Sequence, residues 1–168
     1  MRVIFYDEIN VEGWYLFFAA TEKGLCYVSA QAGSKENVST WIQQQNLQGR
    51  LIENEERLKP YTTQLKEYIY GERNQFQLPL DLHGTVFQQS VWDVLREIPY
   101  GETRTYSEVA QMIGKPKAVR AVASAIGKNY VLIVIPCHRV IRKDGGLSGF
   151  REGVSMKKEL LSLEGIQY

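Results

Sequence analysis

In the stretch from Val131 to Ile141, a short apolar run is followed directly by Pro-Cys-His-Arg, and this combination limits both the local fold and the chemistry of the chain. Residues 131 to 135 are all aliphatic and four of them are β-branched. Such a run is too short for a stable helix and predicts a buried strand. Pro136 lacks a backbone N–H and is expected to end that strand. We therefore predict that Cys137 lies where a rigid element gives way to a loop.

The neighbours of Cys137 favour chemistry over packing. A free cysteine is usually buried and only packs, and this interpretation suits Cys26, which has no cation near it in sequence. Cys137 is followed by four residues that carry or can acquire positive charge: His138, Arg139, Arg142 and Lys143. Nearby positive charge favours the nucleophilic thiolate. We predict that Cys137 is reactive and that Cys26 is structural.

The string Ile-Pro-Cys-His-Arg-Val at residues 135 to 140 resembles the active-site signature of the O6-alkylguanine-DNA alkyltransferases. The resemblance continues at residues 84–92, 98–102, 105–110 and 163–165, and it is close from 76 to 168 but loose before that. It implies two domains, at 1–82 and 83–168. The first would be a ribonuclease H-like α/β domain with a small antiparallel sheet, and the second a mostly α domain with a helix-turn-helix.

Composition excludes several other classes of protein. The sequence contains no charged leader followed by an apolar segment and no apolar run of about 18 residues, so we expect a cytoplasmic protein without membrane contact. With 2 cysteines and 2 histidines, it offers neither a disulfide framework nor the spacing of a zinc site. We predict reduced thiols and no bound metal.

Charge is unevenly distributed although the net charge is only +1. Residues 1 to 82 carry 8 Lys and Arg against 11 Asp and Glu, whereas residues 83 to 168 carry 12 against 8. Between residues 103 and 151 the balance is 9 against 2. A basic segment around the predicted nucleophile is typical of phosphate contacts, although a solvated basic face gives the same pattern.

The first part of the chain predicts a sheet covered by helices. Segments 3–9, 14–21 and 24–30 are rich in β-branched and aromatic residues and are separated by turn signals, which predicts three antiparallel strands. Helices are expected from Ser34 to about residue 45 and from about Pro60 to residue 70. The proline-containing segment 76–82 suits an edge or a linker, and His83 suits a loop.

The second part predicts helices with well-marked starts. Thr85 with Gln88, and Thr105 with Glu108, fit the capping-box pattern. The first helix is expected to turn the following residues inward: Val86, Phe87, Val91, Val94, Leu95 and, in part, Trp92. A helix over 105–113, Gly114, and a second helix opened by Pro116 over 117–128 predict a helix-turn-helix.

The predicted second helix of that motif has a small, basic outer face. Its outward residues are expected to be Lys117, Arg120, Ala121, Ser124 and Lys128. Short side chains between cations would let the backbone enter a groove only about 6 Å wide, so we predict contact with the DNA minor groove. Asn129 follows this helix directly and is suited to a left-handed cap that ties the turn to the next segment. We also expect Asn129 to belong to the catalytic set around Cys137.

The resemblance implies a relay in which Glu164 orients His138 and His138 takes the proton of Cys137 through a water. It assigns the flipping of the target nucleotide to Tyr106 and the filling of the vacated stack to Arg120. It places the base against the Tyr106 hydroxyl, the carbonyls of Cys137 and Val140, and the Arg151 amide. We further expect Arg139 to contact DNA and Phe150 and Glu152 to line the pocket.

The implied activity is DNA repair in a single turnover, in which one alkyl group passes irreversibly from O6-alkylguanine in double-stranded DNA to Cys137. The resemblance implies that the protein acts as a monomer without a cofactor, and O4-alkylthymine is a further candidate substrate. The range of alkyl groups stays open because several positions depart from the family pattern: Tyr130, Leu132, Phe150, Arg151 and Glu152.

Two other functions would use some of the same residues. A cysteine hydrolase would also combine Cys137 with His138, but it would need an oxyanion hole and no DNA helix. A catalytically silent protein that binds alkyl damage, or a helix-turn-helix regulator, would explain the basic segment and leave the cysteine motif without a role. The motif therefore favours alkyl transfer.

Overall fold

The structure is a computed structural model that describes residues 2–30, 34–45, 47, 49–147, 150 and 153–167. The chain divides into two compact units, Met1–His83 and Gly84–Tyr168. No helix in the described part of the chain is both long enough and apolar enough to span a bilayer.

The first unit is built on a four-stranded sheet in the order β3-β2-β1-β4. Its strands are β1 Arg2–Val11, β2 Trp14–Thr21, β3 Gly24–Ser29 and β4 Gly49–Glu53. The three antiparallel strands were predicted, and the structure confirms them. The sequence did not predict β4, which pairs parallel with β1 and has only two apolar residues, Leu51 and Ile52, to mark it.

Two helices accompany this sheet, α1 Ser34–Gln44 and α2 Glu55–Ile69. The prediction for α1 is confirmed, but α2 begins before the predicted start at Pro60. Asn54 caps α2 by accepting a hydrogen bond from the Arg57 N–H at 2.9 Å. Pro60 therefore lies inside the helix, where it has no backbone N–H to donate to the preceding turn.

The segment after α2 lies along the edge of β3, as expected. Leu25 N donates to Pro79 O at 2.9 Å, and Asp81 N donates to Leu25 O at 2.9 Å. Gly24 has a φ of +151°, and a Cβ there would lie 2.5 Å from the Pro79 carbonyl. Only glycine fits this close approach. His83 lies in a loop, as predicted, with its Nε2 3.2 Å from Asp81 Oδ1.

The second unit is mostly helical. Its elements are α3 Val86–Leu95, β5 Arg104–Thr105, α4 Tyr106–Met112, α5 Val119–Gly127, a 3₁₀ turn at Cys137–Arg139, β6 Val140–Ile141 and α6 Val154–Leu163. Both capping boxes, at Thr85 and Thr105, are confirmed. The predicted start of α5 is wrong, because Lys115 to Ala118 form a turn and Pro116 precedes the helix.

The inner face of α3 differs in part from the prediction. Val91 and Leu95 are buried, and Trp92 is more completely buried than expected. Val86 is 89% exposed, because it occupies the first helical position and faces away from the core. Trp92 Nε1 donates to Ala125 O at 2.9 Å, so this indole fastens α3 to α5.

Replacing Trp92 with phenylalanine is expected to lower the free energy of unfolding by about 1–2 kcal/mol, since the buried hydrogen bond to α5 is lost along with part of the packing. Denaturant unfolding would measure the change. Val86→Ala is the matched control on the same helix and is expected to change stability by no more than about 0.5 kcal/mol. Equal effects of the two substitutions would contradict this role for Trp92.

The predicted strand at residues 131–135 is wrong, although all five residues are buried as expected. The segment forms a compact turn in which Ile133 has a φ of +73°, which is unusual for a β-branched residue. The Asn129 side chain replaces a neighbouring strand as hydrogen-bonding partner. It accepts from Val131 N at 2.9 Å and donates to Ile135 O at 3.1 Å. Buried backbone groups are thus satisfied without a sheet.

Candidate active site and DNA-binding surface

Cys137 is the first residue of the buried 3₁₀ turn. Its backbone N–H donates to Ile135 O at 2.8 Å, which orients the residue against the preceding turn. The Asn129 amide nitrogen lies 3.2 Å from Cys137 Sγ and donates to it. An N–H directed at sulfur stabilises the negative charge of a thiolate. Asn129 therefore both builds the turn and contacts the predicted nucleophile.

His138 is fully buried, and its Nε2 lies 2.6 Å from Glu164 Oε2. Burial lowers the pKa of His138, the hydrogen bond and charge of Glu164 act in the opposite direction, and the charges of Arg139 and Lys157 lower it further. The neutral imidazole then donates from Nε2 to the carboxylate and keeps a lone pair on Nδ1. Nδ1 has no hydrogen-bond partner among the described residues, so it is available to accept a proton.

The Glu164 carboxylate lies just after α6 and accepts hydrogen bonds from three residues. Besides His138, it accepts from Arg139 Nε at 2.8 Å, Arg139 Nη2 at 3.0 Å and Gly101 N at 3.2 Å. Two parallel bonds from one guanidinium fix both oxygens of the carboxylate. The structure thus brings Cys137, His138, Glu164 and Asn129 into one buried cluster, as the sequence predicts.

The expectation that Arg139 contacts DNA is contradicted. Arg139 is only 6% exposed, and its Nη1 donates to Ile98 O at 2.7 Å while its other nitrogens bind Glu164. Its guanidinium also lies 5.7 Å from the Tyr100 ring centroid. The sequence shows a cation beside the cysteine but not the buried carboxylate that holds it.

A short parallel pairing joins the thiol segment to the helix-turn-helix. Arg104 and Thr105 of β5 pair with Val140 and Ile141 of β6. Tyr106 begins α4 directly after β5, and β6 directly follows the 3₁₀ turn that holds Cys137. This pairing fixes where Tyr106 starts relative to the buried cysteine.

The outer face of the helix-turn-helix is as small and basic as predicted. All five residues expected to face outward are exposed: Lys117, Arg120, Ala121, Ser124 and Lys128. Val122 and Ile126 are buried on the opposite face of α5, and Ala125 joins them, whereas Val119 is only half-buried. Asn129, which lies two residues beyond α5, connects this exposed face to Cys137 Sγ.

Lys157 is a residue of the site that sequence reasoning missed. It is fully buried on α6, and its Nζ lies 5.8 Å from the Tyr106 ring centroid. Burial lowers the pKa of Lys157 to about 8, while the charge of Cys137 acts in the opposite direction. The signal was its spacing, since Lys157 shares one helical face with Leu160, Leu161 and Glu164.

Lys157→Met is expected to raise the free energy of unfolding at pH 7 by about 1–3 kcal/mol, because a pKa lowered by this amount marks a charge that the folded protein holds at a cost. The folded pKa, about 8, lies below the ordinary 10.5, so the unfolded chain binds more protons between these values. The destabilising effect of Lys157 should therefore fall from pH 8 to 10.5, and the advantage of the variant over the wild type should shrink.

Denaturant unfolding of both proteins at pH 7 and pH 10 would test this prediction, with the exposed neighbour Lys158→Met as control. The prediction would be wrong if Lys157→Met were stabilised over the wild type by the same amount at both pH values. It would also be wrong if Lys158→Met were stabilised equally.

The predicted substrate pocket is described only in part. Val140 and Phe150 are buried, whereas Arg151 and Glu152 lie outside the described residues. Of the positions that depart from the family pattern, Leu132 is buried and Tyr130 half-buried. Within the described ranges, no group of three or more His, Cys, Asp or Glu residues could hold a metal ion.

Comparison with known proteins gives matches to both parts of the chain. Residues 86–166 match the family model of the 6-O-methylguanine DNA methyltransferase DNA binding domain, and residues 4–82 match that of its ribonuclease-like domain. The inducible methylated-DNA–protein-cysteine methyltransferase of Bacillus subtilis is 43% identical over 161 residues, which is 96% of this chain and 90% of the relative. That of Methanosarcina acetivorans is 45% identical over 152 residues, covering 89% and 91%.

A solved structure has the same fold. The crystal structure of Mycobacterium tuberculosis OGT in complex with DNA superposes with a TM-score of 0.81 at 35% identity, covering 96% of this chain and 92% of that one. The predicted architecture, an α/β unit followed by a mostly helical DNA-binding unit, is thereby confirmed. Since family models match both parts and relatives match nearly the whole length, the chain belongs to the 6-O-methylguanine DNA methyltransferase family.

Proposed function

We propose that this protein repairs double-stranded DNA that contains O6-alkylguanine by transferring the alkyl group to Cys137. The observation that carries the proposal is the arrangement around sulfur: an amide donor 3.2 Å from Sγ, and next along the chain a buried imidazole bound to a carboxylate. The Bacillus subtilis relative is named a methylated-DNA–protein-cysteine methyltransferase, and the Mycobacterium tuberculosis relative is bound to DNA.

In the proposed reaction, His138 Nδ1 accepts the proton of Cys137 through a water. The thiolate then attacks the alkyl carbon, a C–S bond forms as the C–O bond breaks, and the electron pair returns to the guanine. The guanine anion takes a proton from solvent and His138 releases its extra proton to solvent, so that both groups end neutral. The thioether cannot be displaced again by the same residues, so each protein molecule acts once.

The exposed face of α5 supports the DNA part of the proposal. An alkyl group on a base in a duplex can be reached only after the nucleotide leaves the stack, and this costs a few kcal/mol. Arg120 is exposed in the first turn of α5, on the small, basic face, and is suited to fill the vacated stack. Tyr106 starts the neighbouring helix beside the thiol segment, where it can crowd the phosphate of the extruded nucleotide.

Titrating the protein against excess duplex with one O6-methylguanine tests the proposal. We expect the amount of restored guanine to stop at one per protein monomer and to stay there with time. A protein that binds the lesion while every methyl group stays on the DNA would be a silent damage binder. Continued turnover would indicate a different reaction. Either outcome would overturn the proposal.

A further inference from the structure

Arg139 is the centre of a buried ion cluster whose purpose the proposed reaction does not yet explain. Its guanidinium binds both oxygens of Glu164 and the Ile98 carbonyl. Among the described residues, the other ionisable groups that interact with this cluster are His138, Lys157, Tyr100 and, through Lys157, the Cys137 thiol. Of these, His138 and Lys157 are fully buried, so charges are weakly screened and each one influences its neighbours.

The charge of Arg139 opposes that of a protonated His138. Glu164 alone would favour imidazolium, because a buried carboxylate within hydrogen-bonding distance stabilises the positive ring. Paired with a guanidinium, the same carboxylate is largely neutralised. An imidazole that already carries a second proton could not accept one from the thiol. The balance between Glu164 and Arg139 therefore decides whether His138 can act as a base.

The geometry of the pair also fixes the direction of the relay. Arg139 Nε and Nη2 donate to Glu164 Oε1 and Oε2, respectively. Oε2 also accepts a hydrogen bond from His138 Nε2. A carboxylate held on both oxygens cannot rotate away from the imidazole. The ring is kept with Nε2 protonated, which leaves Nδ1 as its acceptor. A lysine has the same charge but not the planar fork that makes both bonds.

We propose that Arg139 is a positioning residue that orients Glu164 and keeps His138 neutral, so that Nδ1 stays a proton acceptor at neutral pH. The proposal rests on the proposed function only in assigning that acceptor to the Cys137 thiol. It replaces the expected DNA contact of Arg139 with a role inside the relay.

Two variants separate the charge of Arg139 from its shape. In Arg139→Met the pair of His138 and Glu164 should bind its extra proton at higher pH, because the opposing charge is gone. We expect the acid limb of the methyl-transfer rate to move up by about one pH unit, which lowers the rate along that limb by up to about tenfold. Arg139→Lys should keep the acid limb of the rate profile near its wild-type position, because the positive charge stays. It should lower the plateau rate, because lysine cannot make both hydrogen bonds to Glu164.

Each rate is measured from pH 5.5 to 8.5 with O6-methylguanine duplex and, in parallel, with iodoacetamide, which reports on the Cys137 thiol without DNA. If the wild-type protein transfers no methyl group, the proposed function is wrong. If the pH profile of the iodoacetamide reaction still shifts in Arg139→Met, the role of Arg139 holds independently of that function. Lower plateaus with unmoved limbs in both variants would overturn that role.

If Arg139→Met fails to fold, the wild-type protein still tests the proposal. Nuclear magnetic resonance of the His138 ring should show a neutral imidazole with the proton on Nε2 at pH 7. A ring that is protonated on both nitrogens at pH 7, or that carries its proton on Nδ1, would overturn it.

Discussion

Cys137→Ser is expected to abolish methyl transfer while leaving DNA binding within about twofold of wild type. Serine keeps the size of the side chain and can still accept the Asn129 hydrogen bond, which is 3.2 Å long to sulfur. Its hydroxyl is a much weaker nucleophile than a thiolate at neutral pH. The exposed residues of α5 do not depend on the sulfur. Radiolabelled methyl transfer and fluorescence anisotropy of a labelled duplex would measure the two properties separately.

The matched control for this variant is Cys26→Ser. Cys26 is buried in β3, its Sγ donates to Ala19 O at 3.4 Å, and burial raises the pKa of its thiol to about 12. A thiol of that kind is protonated and unreactive near neutral pH. We expect methyl transfer at the wild-type rate in the folded control. Residual transfer by Cys137→Ser, or its loss in Cys26→Ser, would contradict the assignment of the nucleophile.

Arg120→Ala is expected to slow repair of duplex DNA about 100-fold and to change the reaction with free O6-methylguanine less than about threefold. The exposed Arg120 side chain is expected to stabilise only the flipped state, whose formation costs a few kcal/mol, and a free base needs no flipping. Single-turnover rates on the two substrates provide the comparison.

Lys128→Ala is the control at the other end of the same helix, where the exposed cation is expected to contact phosphate. It should weaken binding modestly and reduce the salt dependence, without a specific loss of the flipping step. If Arg120→Ala slows the reactions with duplex DNA and with the free base by the same factor, Arg120 does not fill the vacated stack. The same conclusion follows if Lys128→Ala slows duplex repair as much as Arg120→Ala does.

Local signals in the sequence predicted much of the fold. The two capping boxes at Thr85 and Thr105 join residues only three positions apart, so their pattern is complete in sequence. Alternation and turns likewise marked the three antiparallel strands. By contrast, β4 is short and pairs with a distant strand, β1. The run at 131–135 forms a turn with its own backbone hydrogen bonds, and the Asn129 side chain bonds Val131 N and Ile135 O. Periodicity does not reveal that.

In the candidate site, too, local sequence patterns predicted some residues, whereas long-range contacts determine the roles of others. Cys137, His138 and Glu164 were predicted because a specific motif carries them. Arg139 was misassigned because its partners lie 25 and 41 residues away in sequence. Lys157 was missed because a lysine between apolar residues on a helix is usually solvated, and its burial depends on the packing of α6. Long-range charge pairing is what local pattern does not show.

Mass spectrometry of the reacted protein would show whether Cys137 receives the alkyl group. The protein would be incubated with excess duplex that contains O6-methylguanine, weighed intact, and digested for peptide mapping. We predict that the mass rises by one methyl group in place of one hydrogen, and that the methyl maps to Cys137 alone. An unchanged mass while the duplex is bound, or a methyl group on any other residue, would show that Cys137 is not the alkyl acceptor.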